Sequence, residues 1–143
     1  LKRKHNMKKD MPLNVVDNVS IAVVLESESP ESKNWSVYLI NEKNSTLKNV
    51  LVTSKGYGLK DDKEVKTTTL RHFIGDLDPQ ASTKIEAIAS EVFGLTNEYW
   101  LSYYIDNTIY DKKYIFLPES IVDENISKIP LVNKPGVLIG GDN

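Results

Sequence analysis

Residues 35–89 carry no run in which apolar side chains recur at helical spacing. They read instead as short β-type segments cut by turn residues at regular intervals. Residues 35–40 alternate, with Trp35, Val37 and Leu39 on one face and Ser36, Tyr38 and Ile40 on the other. A turn cluster follows at 41–45. Residues 49–57 form a second segment, with Val50, Val52 and Ser54 opposed to Leu51, Thr53 and Lys55. Gly58, Asp61 and Asp62 supply turn formers for a hairpin connection at 58–63. The return strand is expected over 64–73, where Thr67, Thr68 and Thr69 are stiff, β-branched strand material. Pro79 marks a turn at 75–79, since it fixes its own φ and keeps Asp78 out of the helical region. Residues 83–88 are another strand, with Ile85 facing one way and Lys84 and Glu86 the other. Short strands at this spacing predict an all-β antiparallel sandwich or barrel.

The flanks extend the pattern. Residues 1–18 hold five Lys and Arg side chains before Asp10 and no periodicity, so they read as a flexible basic arm. Residues 19–25 are a first strand, followed by a polar loop at 26–34. A hairpin is expected from 98–105 (EYWLSYYI) and 108–117 about an Asp106-Asn107 turn, both residues tolerating positive φ. Between them and residue 88, residues 90–95 fit either a helical turn or a crossover between sheets. Pro118 and Glu119 precede Ile121, Val122 and Ile126 at near-helical spacing, which predicts a short helix near 119–127. The remaining tail contains Pro130, Pro135 and two apolar runs, 129–132 and 137–139. The domain expected from this is a sandwich over 19–117, with a short helix and extended tail over 118–143.

Composition excludes several functions. With 18 basic and 20 acidic residues and a net charge of -2, the chain has no global pull toward nucleic acid or an anionic membrane surface. It has no cysteine, which removes disulfides, thiolate nucleophiles and iron–sulfur ligation. His5 and His72 are too few for a histidine-rich metal site, and no cofactor is expected. The longest apolar runs are far too short to span a bilayer. Lack of cysteine fits a cytoplasmic setting. The first residue is Leu, so either the chain was trimmed upstream or residues 1–6 precede a native start at Met7, and a leader upstream of residue 1 is compatible with the sequence.

Each candidate site competes with a plain structural role. His72, between Arg71 and Phe73, could act as a general base with Asp76 or Asp78, or be a strand-end histidine with one face wet. Asp61, Asp62, Asp76 and Asp78 could meet around a hard cation, or be two ordinary polar turns. Lys55 between Gly56 and Ser54, with Gly58 beyond, lacks the helix that a phosphate loop requires, so the glycines read as a bulge or strand end. Trp100, Tyr103, Tyr104, Tyr110 and Tyr114 cluster in the last hairpin. Alternation assigns Tyr99, Leu101 and Tyr103 to the core and leaves Trp100 and Tyr104 for ligand contact, with cross-strand stabilisation as the alternative. Lys112 and Lys113 read as guards of an edge strand. Val137, Leu138 and Ile139 form a β-prone run that could pair with a sheet edge of another molecule, or be the last strand of the same domain.

The run NSTLKNVLV at 44–52, followed by LDPQASTKIE at 77–86, resembles bacterial immunoglobulin-like domains. That resemblance implies an immunoglobulin-like sandwich of about seven strands, with Leu47 plugging one end and Pro79 starting the turn into the strand that returns across it. The runs VYLIN (37–41), SKGY (54–57) and YDKKY (110–114) are similar to a family of small, functionally unassigned proteins from Bacteroidetes-type bacteria. Some members carry the label phenylalanyl-tRNA synthetase alpha subunit, whose catalytic core requires a larger sheet with class-defining arginines. The expected function is a non-enzymatic interaction or structural module that contacts protein through a sheet edge or face, or by self-association. A carbohydrate- or ligand-binding sandwich using Trp100 and Tyr104 is the alternative, and an accessory subunit of a tRNA ligase ranks last.

Overall fold

The computed structural model describes residues 14–139; the basic residues before Asn14 and the last four residues lie outside the described part. The described chain is all-β, built as two antiparallel sheets. The strands are β1 (Val19–Glu28), β2 (Lys33–Asn41), β3 (Leu47–Lys60), β4 (Lys63–Lys66), β5 (Leu70–Leu77), β6 (Ala81–Ile88), β7 (Thr96–Ile105), β8 (Thr108–Phe116), β9 (Ser127–Lys128) and β10 (Pro135–Ile139). The first sheet has the order β6-β2-β1-β10-β9. The second runs β4-β3-β7-β8, and β5 pairs with the same strand, β3, toward its start.

The two inner faces enclose the core, as strand alternation requires. Trp35, Val37 and Leu39 of β2 meet Val50 and Val52 of β3, with Tyr99, Leu101 and Tyr103 of β7 and Tyr114 and Phe116 of β8. Fully burying each large apolar side chain contributes about 1.5–3 kcal/mol, which makes this interior the main source of stability. Leu47 is fully buried opposite Leu77 at one end. There the turn at 78–80 carries the chain from β5 in the second sheet to β6 in the first. Buried Asn41 locks that corner, its amide donating to the carbonyls of Ser45 (3.0 Å) and Asp78 (2.9 Å).

Several boundaries differ from the sequence reading. The return strand is broken at residues 67–69, where the three threonines leave the ladder. The Thr67 N–H still donates to the Gly56 carbonyl at 2.8 Å, but the Gly56 amide donates to the Thr67 hydroxyl at 2.7 Å, so a side chain takes over one half of the backbone pair. The strand then continues through Gly75 to Leu77, because Gly75 takes φ 86 and lets β5 bulge rather than turn. The expected helix near 119–127 is absent. Glu119 adopts φ 63, which ends any helix there, and Val122 is extended, leaving a single 3-10 turn at Asp123–Asn125. Residues 90–92 form another such turn between the sheets. Val16, expected in a flexible arm, is packed into the core at 2% exposure.

The expected tail is part of the fold. β10 pairs with β1 in the same molecule, setting Val137 opposite Val23, Leu138 opposite Ala22 and Ile139 opposite Ile21. Gly136 lies against β1 so closely that a Cβ there would come 2.4 Å from the Val23 carbonyl oxygen. Ahead of β10, residues 129–134 fold back over the outer face of the first sheet. Ile129 is fully buried on Ala22, Val24 and Ile40, with Val132 and Tyr38 beside it. This strap gives the first sheet a cover on its outer side. Val137, Leu138 and Ile139 are therefore engaged with their own β1 and are not a free strand.

Candidate interaction surface

The outer face of the second sheet has no such cover among the described residues. Its composition follows from alternation: where Val50, Val52 and Ser54 point in, Leu51, Thr53 and Lys55 point out. On β7, Tyr99, Leu101 and Tyr103 are buried while Trp100 is 50% and Tyr104 39% exposed. The register aligns these into rows. Arg71, Thr53, Trp100 and Lys113 lie side by side, and the next row is Phe73, Leu51, Ser102 and Asp111. Tyr104 then lies between Lys48 and Ile109. Phe73 is 71% exposed, the most open large apolar residue described.

Charge on this face is locally balanced. The Lys113 ammonium lies 5.0 Å over the Trp100 ring, a cation–π contact. Glu98 sits between Lys55 (3.9 Å) and Lys113 (4.0 Å) and accepts from the Tyr57 hydroxyl at 3.1 Å. That hydrogen bond and the adjoining carboxylate raise the Tyr57 phenol above its ordinary pKa. Asp76 accepts from the Asn49 amide (3.2 Å) and Lys48 (3.3 Å), and these hold its carboxyl below the usual range.

A second polar group lies inside, at the side of the sandwich where β5 meets β6. His72 does not face Asp76 or Asp78. Its Nε2 is 2.8 Å from Glu86 Oε1, and that same oxygen accepts from Ser54 at 3.0 Å. Glu86 Oε2 accepts from Tyr99 at 2.8 Å. Glu86 was expected to face opposite Ile85. One extra residue on β6, Ile85, lies between the Val37–Glu86 and Tyr38–Lys84 pairs, and this bulge turns Glu86 inward. Burial and the Glu86 charge push the Tyr99 phenol up. Ser54 donates to the carboxylate and not to the imidazole, so the serine–histidine contact of a nucleophile–base pair is not made here. The arrangement joins four strands from both sheets through one carboxylate.

The remaining candidates are dispersed. Asp61 and Asp62, both at positive φ, form the β3–β4 turn at the opposite end of β3 from Asp76 and Asp78. Among the described residues no group of three His, Asp or Glu side chains is placed to hold a metal ion. Gly56 and Gly58 lie within β3, followed by strand β4, and beside them an open cleft of about 680 Å³ is lined by Lys55, Tyr57, Glu64 and Lys66. A larger open cleft, about 1310 Å³, spans Trp35, Phe93, Ile121 and Ile126 at one end of the sandwich and reaches Glu26 on the outer face of the first sheet. Glu26 is already saturated there. Burial pushes its carboxyl up, but hydrogen bonds from Lys134, Tyr38, Ser36 and Lys84 outweigh this and hold it at about 2. It ties the strap to the sheet, accepting from Lys134 of the strap and from Tyr38 of β2 at 2.8 Å each.

No protein-family model matches this chain, and comparison with curated proteins finds no match. No described helix is long and apolar enough to cross a membrane.

Proposed function

We propose that this chain is an immunoglobulin-like, non-enzymatic module that binds a protein partner through the exposed face of β5, β3, β7 and β8. The strand order supports the immunoglobulin-like reading. Without the added β9 and β10, and with β4 and β5 taken as one interrupted strand, seven strands remain in the order β1-β2-β6 against β5-β3-β7-β8. This is the constant-type arrangement with its fourth strand moved to the other sheet. The resemblance at 44–52 and 77–86 falls on the β3 entry and the β5–β6 turn, where such a fold needs a plug and a reversal.

One observation carries the binding role: Phe73, Trp100 and Tyr104 are all exposed on one sheet face that no other described residues cover, with Arg71 alongside. Aromatic residues and arginine in a contiguous patch are what protein interfaces concentrate at their centres. The first sheet hides its outer apolar residues under its own strap, so exposure of the second is a specific property of that face. Lys113 above the Trp100 ring occupies the surface on which a sugar would stack, which favours a protein over a carbohydrate. The test is quantitative affinity capture with wild type, Trp100→Ala and Asp123→Ala, run beside a glycan-binding screen. The reading expects a protein recovered with wild type and Asp123→Ala and lost with Trp100→Ala. Glycan binding lost in Trp100→Ala, with no Trp100-dependent protein, refutes it.

A further inference from the structure

We infer that β5 pairs edge to edge with β5 of a second copy of this chain. This rests on the reading of the second sheet as an interaction surface and names one partner for it. Exposed strand edges are normally guarded by charged side chains, lysine above all, by proline, by a bulge or by shortness, and of these β5 has only its bulge at Ile74–Gly75 and the charges of Arg71 and Asp76. β8 carries Lys112 and Lys113, β6 carries Lys84, β4 carries Lys63 and Lys66, and β9 is two residues long. β5 has eight residues and neither lysine nor proline, and among the described residues no strand pairs with its second edge. Instead it presents Phe73 at 71% exposure and Leu70 at 46%.

The outer face of β5 is complementary to itself. Phe73 opposes Leu51 and points out, while Gly75 opposes inward-facing Val50, so the bulge places Ile74 and Gly75 together on the inner side. Asp76 is thereby turned outward, where Lys48 meets it. The outer residues of β5, read in order, are thus Arg71, Phe73 and Asp76. An antiparallel second copy related by a two-fold axis at Phe73 presents Asp76, Phe73 and Arg71. Because the bulge makes Ile74 and Gly75 count as one ladder position, each arginine then faces an aspartate and the two phenyl rings cover one another, a pairing of opposite charges and aromatics that stabilises antiparallel strands. An unrelated strand would have no reason to match this order. The two second sheets then join into one, and Trp100 and Tyr104 stay open on both copies.

The test is sedimentation equilibrium on the whole chain. A dimer of Kd on the order of 10–100 µM is expected, as suits one edge contact with a single aromatic pair. Arg71→Glu makes the edge wholly acidic and Asp76→Lys makes it wholly basic. Each variant alone should weaken the dimer at least tenfold, and an equimolar mixture should restore association. Thermal melts confirm that each variant is folded, and Phe73→Glu provides a third, independent disruption. A wild-type monomer at millimolar concentration overturns the inference, as does a dimer indifferent to all three substitutions. Either result leaves Trp100-dependent capture of another protein unaffected, so failure of the pairing is distinguishable from failure of the interaction role.

Discussion

Glu86 holds three donors from three strands, so its removal strands Ser54, Tyr99 and His72 at once. Unsatisfied buried groups each cost on the order of 1–3 kcal/mol, so Glu86→Ala should lower unfolding free energy by about 3 kcal/mol in urea denaturation. Trp100→Ala should cost less, about 1 kcal/mol, because the ring is half exposed and its contact with Lys113 contributes about 0.5–1 kcal/mol. Gly136→Ala forces a methyl group onto the Val23 carbonyl and should cost about 1–3 kcal/mol by the same measurement. These residues were unequally legible in the sequence. Trp100 follows from strict alternation along β7, which runs without a bulge against β8. Glu86 did not, because one bulged residue on β6 reverses the face of everything beyond it, and nothing in the run TKIEAI marks the bulge.

At the scale of elements, the strap over 129–134 depends on Glu26. Its carboxyl sits at about 2 when folded against an ordinary 4.5. The folded form thus prefers the ionised carboxylate, and the stabilisation is complete above about pH 4.5 and is lost as pH falls toward 2. Amide protection at Ile129 and Asn133, whose N–H groups bond to Lys134 and Ile129 carbonyls, should fall over that window before the core opens. Loss of protection only together with global unfolding would show that Glu26 does not pin the strap. The apolar runs of this tail are legible in the sequence, whereas the segment before them has the spacing of a helix it does not form. Spacing of Ile121, Val122 and Ile126 was helical, yet Ile121 is buried against the sandwich core and Glu119 turns the chain first. The hairpin of β7 and β8 was legible because Asp106 and Asn107, at φ 49 and 66, supply the tight turn their residue types favour.

The whole molecule is a two-layer sandwich whose interior is unusually phenolic. Tyr99, Tyr103 and Tyr114 are buried, and burial raises all three phenols above their ordinary 10.0, aided by Glu86 at Tyr99, by Tyr110 and Asp17 at Tyr103, and by Tyr103 at Tyr114. Unfolded, each would release its proton near pH 10; folded, each retains it. Stability is therefore complete below about pH 10 and falls as pH rises beyond it, by about 4 kcal/mol per pH unit for the three together. Urea midpoints measured from pH 8 to 11 should be flat and then drop steeply. A midpoint that stays level to pH 11 would remove these phenols from the core.

Among the described residues, one sheet of this sandwich is covered by its own chain and the other is bare, and that second face is the surface proposed to meet a partner. Trp100 reports on it directly once Trp35, 9% exposed, is replaced by phenylalanine. Acrylamide quenching of the remaining indole should be strong in the free protein and fall several-fold in the purified complex with the captured partner. Quenching that is identical free and bound would contradict the account.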